Sequence, residues 1–153
     1  MLHSTRKASA PASPPAVAGA VASVLLDTGP LVALFKRNDG FHERAVGWFS
    51  RNRGDLVTTH AVLTETWHLI SPAVRGKLMD FASAALIVPP LPEDALPRLA
   101  KLLEKYADTP MDYADATLVL LAHDLRMLRV ATIDLGDFSA YRTEGGKALR
   151  IVF

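Results

Sequence analysis

The sequence contains no cysteine among its 153 residues. This absence excludes disulfide bonds, thiolate zinc sites and a cysteine nucleophile, and it agrees with a reducing cytoplasm, the location we expect. No run of about 18 apolar residues is present, so we expect no transmembrane helix and no membrane partner. Neither a GxGxxG motif nor a Walker phosphate-binding loop occurs, so a nucleotide cofactor has no support. The five histidines also lack zinc-site spacing, and we interpret His60, His68 and His123 as structural or surface residues.

The first 22 residues are rich in alanine, proline and serine. Pro11, Pro14 and Pro15 interrupt the apolar part of this segment, which argues against a signal peptide. We therefore predict a flexible extension over residues 1–22, or an upstream start codon, followed by one domain over residues 23–153. Half of all residues are hydrophobic, enough for a substantial core.

The apolar pattern alternates between short strand-like runs and helical periodicity. Strands are predicted at 23–26, 56–57, 86–88, 129–132 and 149–153. Helices are predicted at 30–36, 41–53, 60–70, 71–84, 92–106 and 112–128. This alternation predicts an α/β fold, a three-layer α/β/α sandwich with a central, mostly parallel sheet of about five strands.

Four acidic residues interrupt otherwise apolar segments: Asp27, Glu65, Asp115 and Asp134. Asp27 and Asp134 each follow a predicted strand, and active sites of parallel sheets lie beyond the carboxyl ends of strands. Carboxylates are rarely buried unless they are paired or bound to metal. Four that converge predict a site for Mg²⁺ or Mn²⁺, which prefer oxygen ligands.

Some of these acids also have a simpler interpretation. Asp27 suits a turn or helix cap, and Glu65 suits a partly exposed helix face, with His68 three residues on as a candidate partner. Asp112 is the better-placed cap of the helix that carries Asp115, so we assign capping to Asp112 and metal ligation to Asp115.

Other acids near these positions serve as rivals or as a control. Asp137 is the rival of Asp134 after the fourth strand, where Thr132 also lies. Asp124 is nine residues from Asp115, half a revolution around the helix, so we expect it to be solvated on the far side.

Four segments in order resemble PIN-domain ribonucleases, and most of all the VapC-type toxins of bacterial toxin–antitoxin systems. Within residues 24–153 the matching segments are Leu25-Leu26-Asp27-Thr28-Gly29-Pro30, Thr59-His60-Ala61-Val62-Leu63-Thr64-Glu65, Met111-Asp112-Tyr113-Ala114-Asp115-Ala116 and Thr132-Ile133-Asp134-Leu135-Gly136-Asp137-Phe138, the last followed by Tyr141-Arg142. The extended N-terminus departs from the pattern, since such toxins usually begin close to the first strand.

The resemblance implies a central parallel sheet and Mg²⁺- or Mn²⁺-dependent cleavage of RNA. Asp27 and Asp115 would then hold the principal metal, with Asp134 or Asp137 acting directly or through water. Glu65 would help to position a second metal or the attacking water.

The resemblance also implies a cognate antitoxin and a homodimer. An interface and the core explain the aromatic residues Trp48, Phe49 and Trp67 equally well. Two other functions stay open: a catalytically inactive PIN-like scaffold, and a receiver- or phosphatase-like phosphoryl-transfer domain. A receiver would need paired acids after the first strand, where this sequence has Asp27 followed by Thr28.

Overall fold

A computed structural model describes residues 23–153, and the extension predicted over residues 1–22 lies outside these residues. Within them, five strands form one parallel sheet in the order β3-β2-β1-β4-β5. The strands are β1 (Val24–Leu26), β2 (Leu56–Val57), β3 (Leu86–Ile87), β4 (Arg129–Ala131) and β5 (Arg150–Ile151). The predicted α/β class and strand number are confirmed.

Seven α-helices in residues 23–153 connect and cover the strands. They are α1 (Thr28–Phe35), α2 (His42–Arg51), α3 (His60–Leu69), α4 (Arg75–Ala85), α5 (Ala95–Lys105), α6 (Tyr113–Asp124) and α7 (Leu135–Ala140). All three residues of β1 are fully buried, which requires helices on both faces of the sheet, as in the predicted sandwich. None of these helices is both long and apolar enough to cross a bilayer.

The structure corrects two sequence predictions around the later helices. We predicted one helix over residues 112–128, but α6 ends at Asp124, and Arg126 adopts a left-handed backbone conformation with φ of 55°. Leu125 and Leu128 continue the apolar spacing because they pack against the core from the turn that follows. The short helix α7 was not predicted.

The order of strands determines where the site forms. β1 pairs with β2 on one side and with β4 on the other. The chain adds β2 and β3 on one side of β1 and then returns to add β4 and β5 on the opposite side, so the topological switch point lies between β1 and β4. Parallel sheets bind ligands at such a switch point, beyond the carboxyl ends of the strands. Asp27 follows β1 and Thr132 follows β4, and both are therefore expected at that edge.

A chain of buried hydroxyl groups joins α3 to α6. Thr59 caps α3 by accepting a hydrogen bond from the Val62 N–H, and its Oγ1 lies 2.8 Å from Oγ1 of Thr117. Because the Thr117 hydroxyl also lies 2.7 Å from the carbonyl oxygen of Ala114 and donates to it, Thr59 donates to Thr117. These hydrogen bonds hold together α3 and α6, the two helices that carry Glu65 and Asp115.

Replacing Thr117 by valine should destabilise the protein. The variant keeps the side-chain shape but leaves the buried Thr59 hydroxyl without its acceptor, which costs about 1–3 kcal/mol. Urea unfolding at 25 °C measures the loss. Thr117→Ser keeps the hydroxyl and should lose less stability than Thr117→Val; the reverse ranking would contradict the proposed role of this hydrogen bond.

Candidate functional site

Asp27 is a buried carboxylate at the switch point, only 7% exposed. Its backbone N–H donates to the carbonyl oxygen of Ala131 in β4 at 3.0 Å, and its Oδ2 accepts a hydrogen bond from the Thr132 hydroxyl at 2.7 Å. Asp27 occupies the residue before α1, yet its side chain makes no capping hydrogen bond. Helix capping therefore does not explain this carboxylate.

Glu65 projects from α3 towards the start of α1. Its carboxylate accepts a hydrogen bond from the hydroxyl of Thr28, the residue after Asp27. The suggested pairing of Glu65 with His68 is wrong, because His68 is exposed and Thr28 is the partner. Thr28 is 37 residues away in sequence, so no local pattern identified it.

Asp112 and Asp115 lie at the start of α6. Asp112 caps the helix, as predicted, by accepting a hydrogen bond from the Asp115 N–H at 2.8 Å. Oδ2 of Asp115 accepts a hydrogen bond from the hydroxyl of Tyr141 at 3.1 Å. Sequence reasoning gave no role to Tyr141, although it is fully buried and lies in the matching C-terminal segment.

Tyr141 is held rigidly as a hydrogen-bond donor. Its ring packs edge-on against Tyr106 and Phe138, with centroids 5.2 and 5.3 Å apart. Burial, followed by the charge of Asp115, raises the pKa of Tyr141 well above its usual range. The phenol therefore stays protonated and donates to Asp115 at neutral pH.

Burial and mutual repulsion disfavour the charged forms of Asp27 and Asp115. The pKa of Asp27 is raised to about 6, first by burial and then by the charges of Glu65 and Asp112. Burial, Asp112 and Asp27 together raise the pKa of Asp115 to about 7. Asp27, Glu65, Asp112 and Asp115 are thus near enough to act on one another, and we call these four residues the carboxylate cluster.

Asp134 and Asp137 lie beside this cluster. The Asp134 carboxylate caps α7 through the Asp137 N–H at 3.0 Å, and the Asp134 N–H donates to Thr132 Oγ1 at 3.0 Å. Burial and the neighbouring Asp134 raise the pKa of Asp137. The charges of both acids also act on Tyr141. Asp134 and Asp137 are therefore connected to the cluster indirectly, by way of Thr132 and Tyr141.

Asp124 belongs to a different part of the surface. Its carboxylate pairs with Arg98 at 2.5 Å, and Arg98 also binds Glu144 and Asp94. Asp124 therefore lies apart from the carboxylate cluster, as predicted, but it is paired with Arg98 rather than simply solvated.

The chemistry of the carboxylate cluster suits a hard divalent cation. Its donors are all oxygens, and a cation would relieve the repulsion that raises the pKa values of Asp27 and Asp115. Within residues 23–153, however, no three histidine, aspartate or glutamate side chains are arranged to hold a metal ion by themselves. Mg²⁺ commonly binds through one or two carboxylates and completes its shell with water and substrate phosphate, which such an arrangement permits.

An open cleft of about 830 Å³ adjoins the cluster and shares Glu65 and Asp112 with it. The first turns of α3 and α6 form two of its sides, and the loop after β3 forms the third. The cleft therefore gives a large substrate access to the carboxylate cluster.

Comparisons with known proteins agree with this geometry. The family model of the PIN domain matches residues 24–142. Ribonuclease VapC26 of Mycobacterium tuberculosis (strain ATCC 25618 / H37Rv) is 25% identical over 134 residues, which cover 84% of this chain and 99% of that protein. The crystal structure of Mycobacterium tuberculosis VapC20, described as a sarcin–ricin loop cleaving toxin, is similar with a TM-score of 0.67 and 22% identity, covering 83% of this chain and 98% of that one.

Proposed function

The chain belongs to the PIN domain family, whose model matches residues 24–142, and on this premise we propose that it is a metal-dependent endoribonuclease, the toxin of a toxin–antitoxin pair. The observation that carries the proposal is the pair of acids, Asp27 and Asp115, whose pKa values are raised to about 6 and 7 at one edge of the sheet. The similarity to a ribonuclease over 84% of the chain supports the same activity.

Asp27 and Asp115 are the proposed ligands of Mg²⁺ or Mn²⁺. When bound, such an ion neutralises charge on the phosphate and lowers the pKa of water. Thr132 orients Asp27, and Tyr141 orients Asp115, because each donates a hydrogen bond to one carboxylate oxygen.

Glu65 has a different proposed role from the two aspartates. Its hydrogen bond from Thr28 fixes the carboxylate on the cleft side of the cluster, where it can hold and orient the attacking water. Asp134 or Asp137 is proposed to contribute through water, since Asp134 already caps α7.

Cleavage of bacterial RNA by the purified protein tests the proposed function. Total RNA incubated with Mg²⁺ or Mn²⁺ should be cut at discrete positions, which mapping of the new ends identifies. EDTA should stop the reaction, and excess Mn²⁺ should restore it. RNA that stays intact under all these conditions would favour the catalytically inactive scaffold instead.

Tyr141→Phe should lower cleavage without unfolding the protein. The variant removes the donor to Asp115 but keeps the ring, and loss of such a partner of a metal ligand costs roughly 10–100-fold in metal affinity or activity. The measurement is the rate as a function of Mg²⁺ concentration. Tyr106→Phe is the matched control, because its hydroxyl accepts from the Arg142 N–H rather than contacting the cluster, and it should leave the Mg²⁺ dependence unchanged.

A cytoplasmic location, a cognate antitoxin and a homodimer complete the proposal. Trp48, Phe49 and Trp67 all pack partly buried against the core, and Trp48 donates to the carbonyl oxygen of Val152 at 2.7 Å. These contacts account for the aromatic residues without a dimer, so the dimer rests on the family resemblance. Light scattering of the purified protein measures its mass directly.

A further inference from the structure

Tyr113 is a large side chain left half exposed beside the carboxylate cluster. It is 49% exposed and lies on the wall of the 830 Å³ cleft, one residue after Asp112. Pro89, Pro90 and Leu91 line the cleft from the loop after β3. Most of the cleft wall is therefore flat or apolar, although the adjoining cluster is strongly acidic.

The cleft is continuous with the site of the proposed reaction. Glu65 and Asp112 line the cleft, and both act electrostatically on Asp27. An RNA strand whose phosphate lies at the cluster can therefore extend a neighbouring nucleotide along this wall. The volume falls within the range of about 300–1,000 Å³ typical of small-molecule sites, which is enough for a base and its sugar.

The apolar wall of the cleft suits the base of a nucleotide. Aromatic rings bind unpaired bases by stacking, and this contact tolerates any base because every base has a π-face. His60, at the start of α3, adds an exposed polar side chain at the same wall.

We propose that this cleft binds the nucleobase next to the cleaved phosphate, with Tyr113 as its stacking surface. The inference rests on the proposed ribonuclease function and deepens it, because it makes the substrate strand locally unpaired at the cleavage site. A base that remains within a duplex has no free face to offer Tyr113.

Three variants test the stacking surface. The substrate is an oligonucleotide that spans the cleavage site mapped in total RNA. Tyr113→Ala should raise KM roughly 5- to 150-fold, the range found when a stacking aromatic is removed, and should change kcat much less. Tyr113→Trp should restore KM. Phe41→Ala is the matched control, since Phe41 is an aromatic of similar exposure, 40%, that does not line the cleft.

Removal of single bases identifies the contact. Abasic substitutions on each side of the cleaved bond should reveal one position whose loss raises KM for the unaltered protein but not further for Tyr113→Ala. Additive effects of the protein and RNA changes would overturn the inference, as would an unchanged KM in Tyr113→Ala.

Two further outcomes separate this inference from the proposed function and from a protein interface. If the unaltered protein cuts no RNA, the proposed function fails, and the inference fails with it. If it cuts RNA, but Tyr113→Ala changes the mass in solution instead of KM, the cleft is a contact between copies and the nucleobase site is wrong. Folding of each variant is verified by thermal melting.

Discussion

Asp115→Asn should reduce RNA cleavage by more than about 100-fold while the protein remains folded. Loss of a residue that only hydrogen-bonds a metal ligand lowers metal affinity or activity roughly 10–100-fold. Asp115 is proposed to bind the ion itself, so its loss should have a larger effect. The amide oxygen of asparagine can still accept the hydrogen bond from Tyr141, so the local packing is preserved. Asp27→Asn should have an effect of the same size, because Asp27 is the other proposed ligand of the ion. The asparagine oxygen can still accept the hydrogen bond from Thr132, so the fold is preserved. Initial cleavage rates with saturating Mg²⁺ measure both variants.

Asp124→Asn is the matched control for this experiment. It makes the same chemical change in the same helix, but Asp124 pairs with Arg98 outside the carboxylate cluster, and Arg98 keeps Asp94 and Glu144 as partners. The control should cleave RNA at the unaltered rate. Wild-type activity in highly purified Asp115→Asn protein would rule out the proposed mechanism.

Metal-free protein should melt at a lower temperature at pH 8 than at pH 5. The folded-state pKa values of about 6 for Asp27 and about 7 for Asp115 exceed the ordinary value of 3.8. At pH values between the ordinary and the raised pKa, the folded protein therefore binds more protons than the unfolded chain. This contribution to stability is complete below about pH 4 and is lost as the pH rises through 6 and 7. A loss of 1 kcal/mol lowers Tm by about 2–4 °C in a protein of this size.

The double variant Asp27→Asn/Asp115→Asn isolates this effect from all other titrating groups. Asparagine carries no proton to lose, so the variant in EDTA should show a smaller fall in Tm between pH 5 and pH 8 than the unaltered protein. Mn²⁺ should raise Tm of the unaltered protein more at pH 8 than at pH 5, since a cation binds the ionised carboxylates. Identical pH profiles for the two proteins would show that these acids are not strained by burial and repulsion.

The strands and the acids that follow them were predictable because both are local signals. A continuous apolar run such as Val24–Leu26 reports burial on both faces, and Asp27 directly after it marks the end of the strand. The cap formed by Asp112 was predictable for the same reason, since its partner is only three residues away.

The contacts that complete the cluster depend on tertiary structure instead. Thr28 reaches Glu65 across 37 residues, and Tyr141 reaches Asp115 across 26. The six residues of α7 are too few to display a helical period, so the helix is defined mainly by the Asp134 cap. The apolar spacing overestimated the length of α6, because it indicates which residues are buried and not where the helix ends. The left-handed backbone conformation of Arg126 prevents the helix from continuing.

The hydrogen bond between Thr132 and Asp27 joins residues 105 positions apart, across two strands that are neighbours in the sheet. During synthesis on the ribosome, β1 emerges early but has no β4 to pair with until most of the domain has been translated. A nascent chain therefore holds Asp27 without its donor and Asp115 without Tyr141, which follows later still. The strand order thus makes the carboxylate cluster one of the last parts of the fold to be completed, because the donors to Asp27 and Asp115 lie in the last segments to emerge.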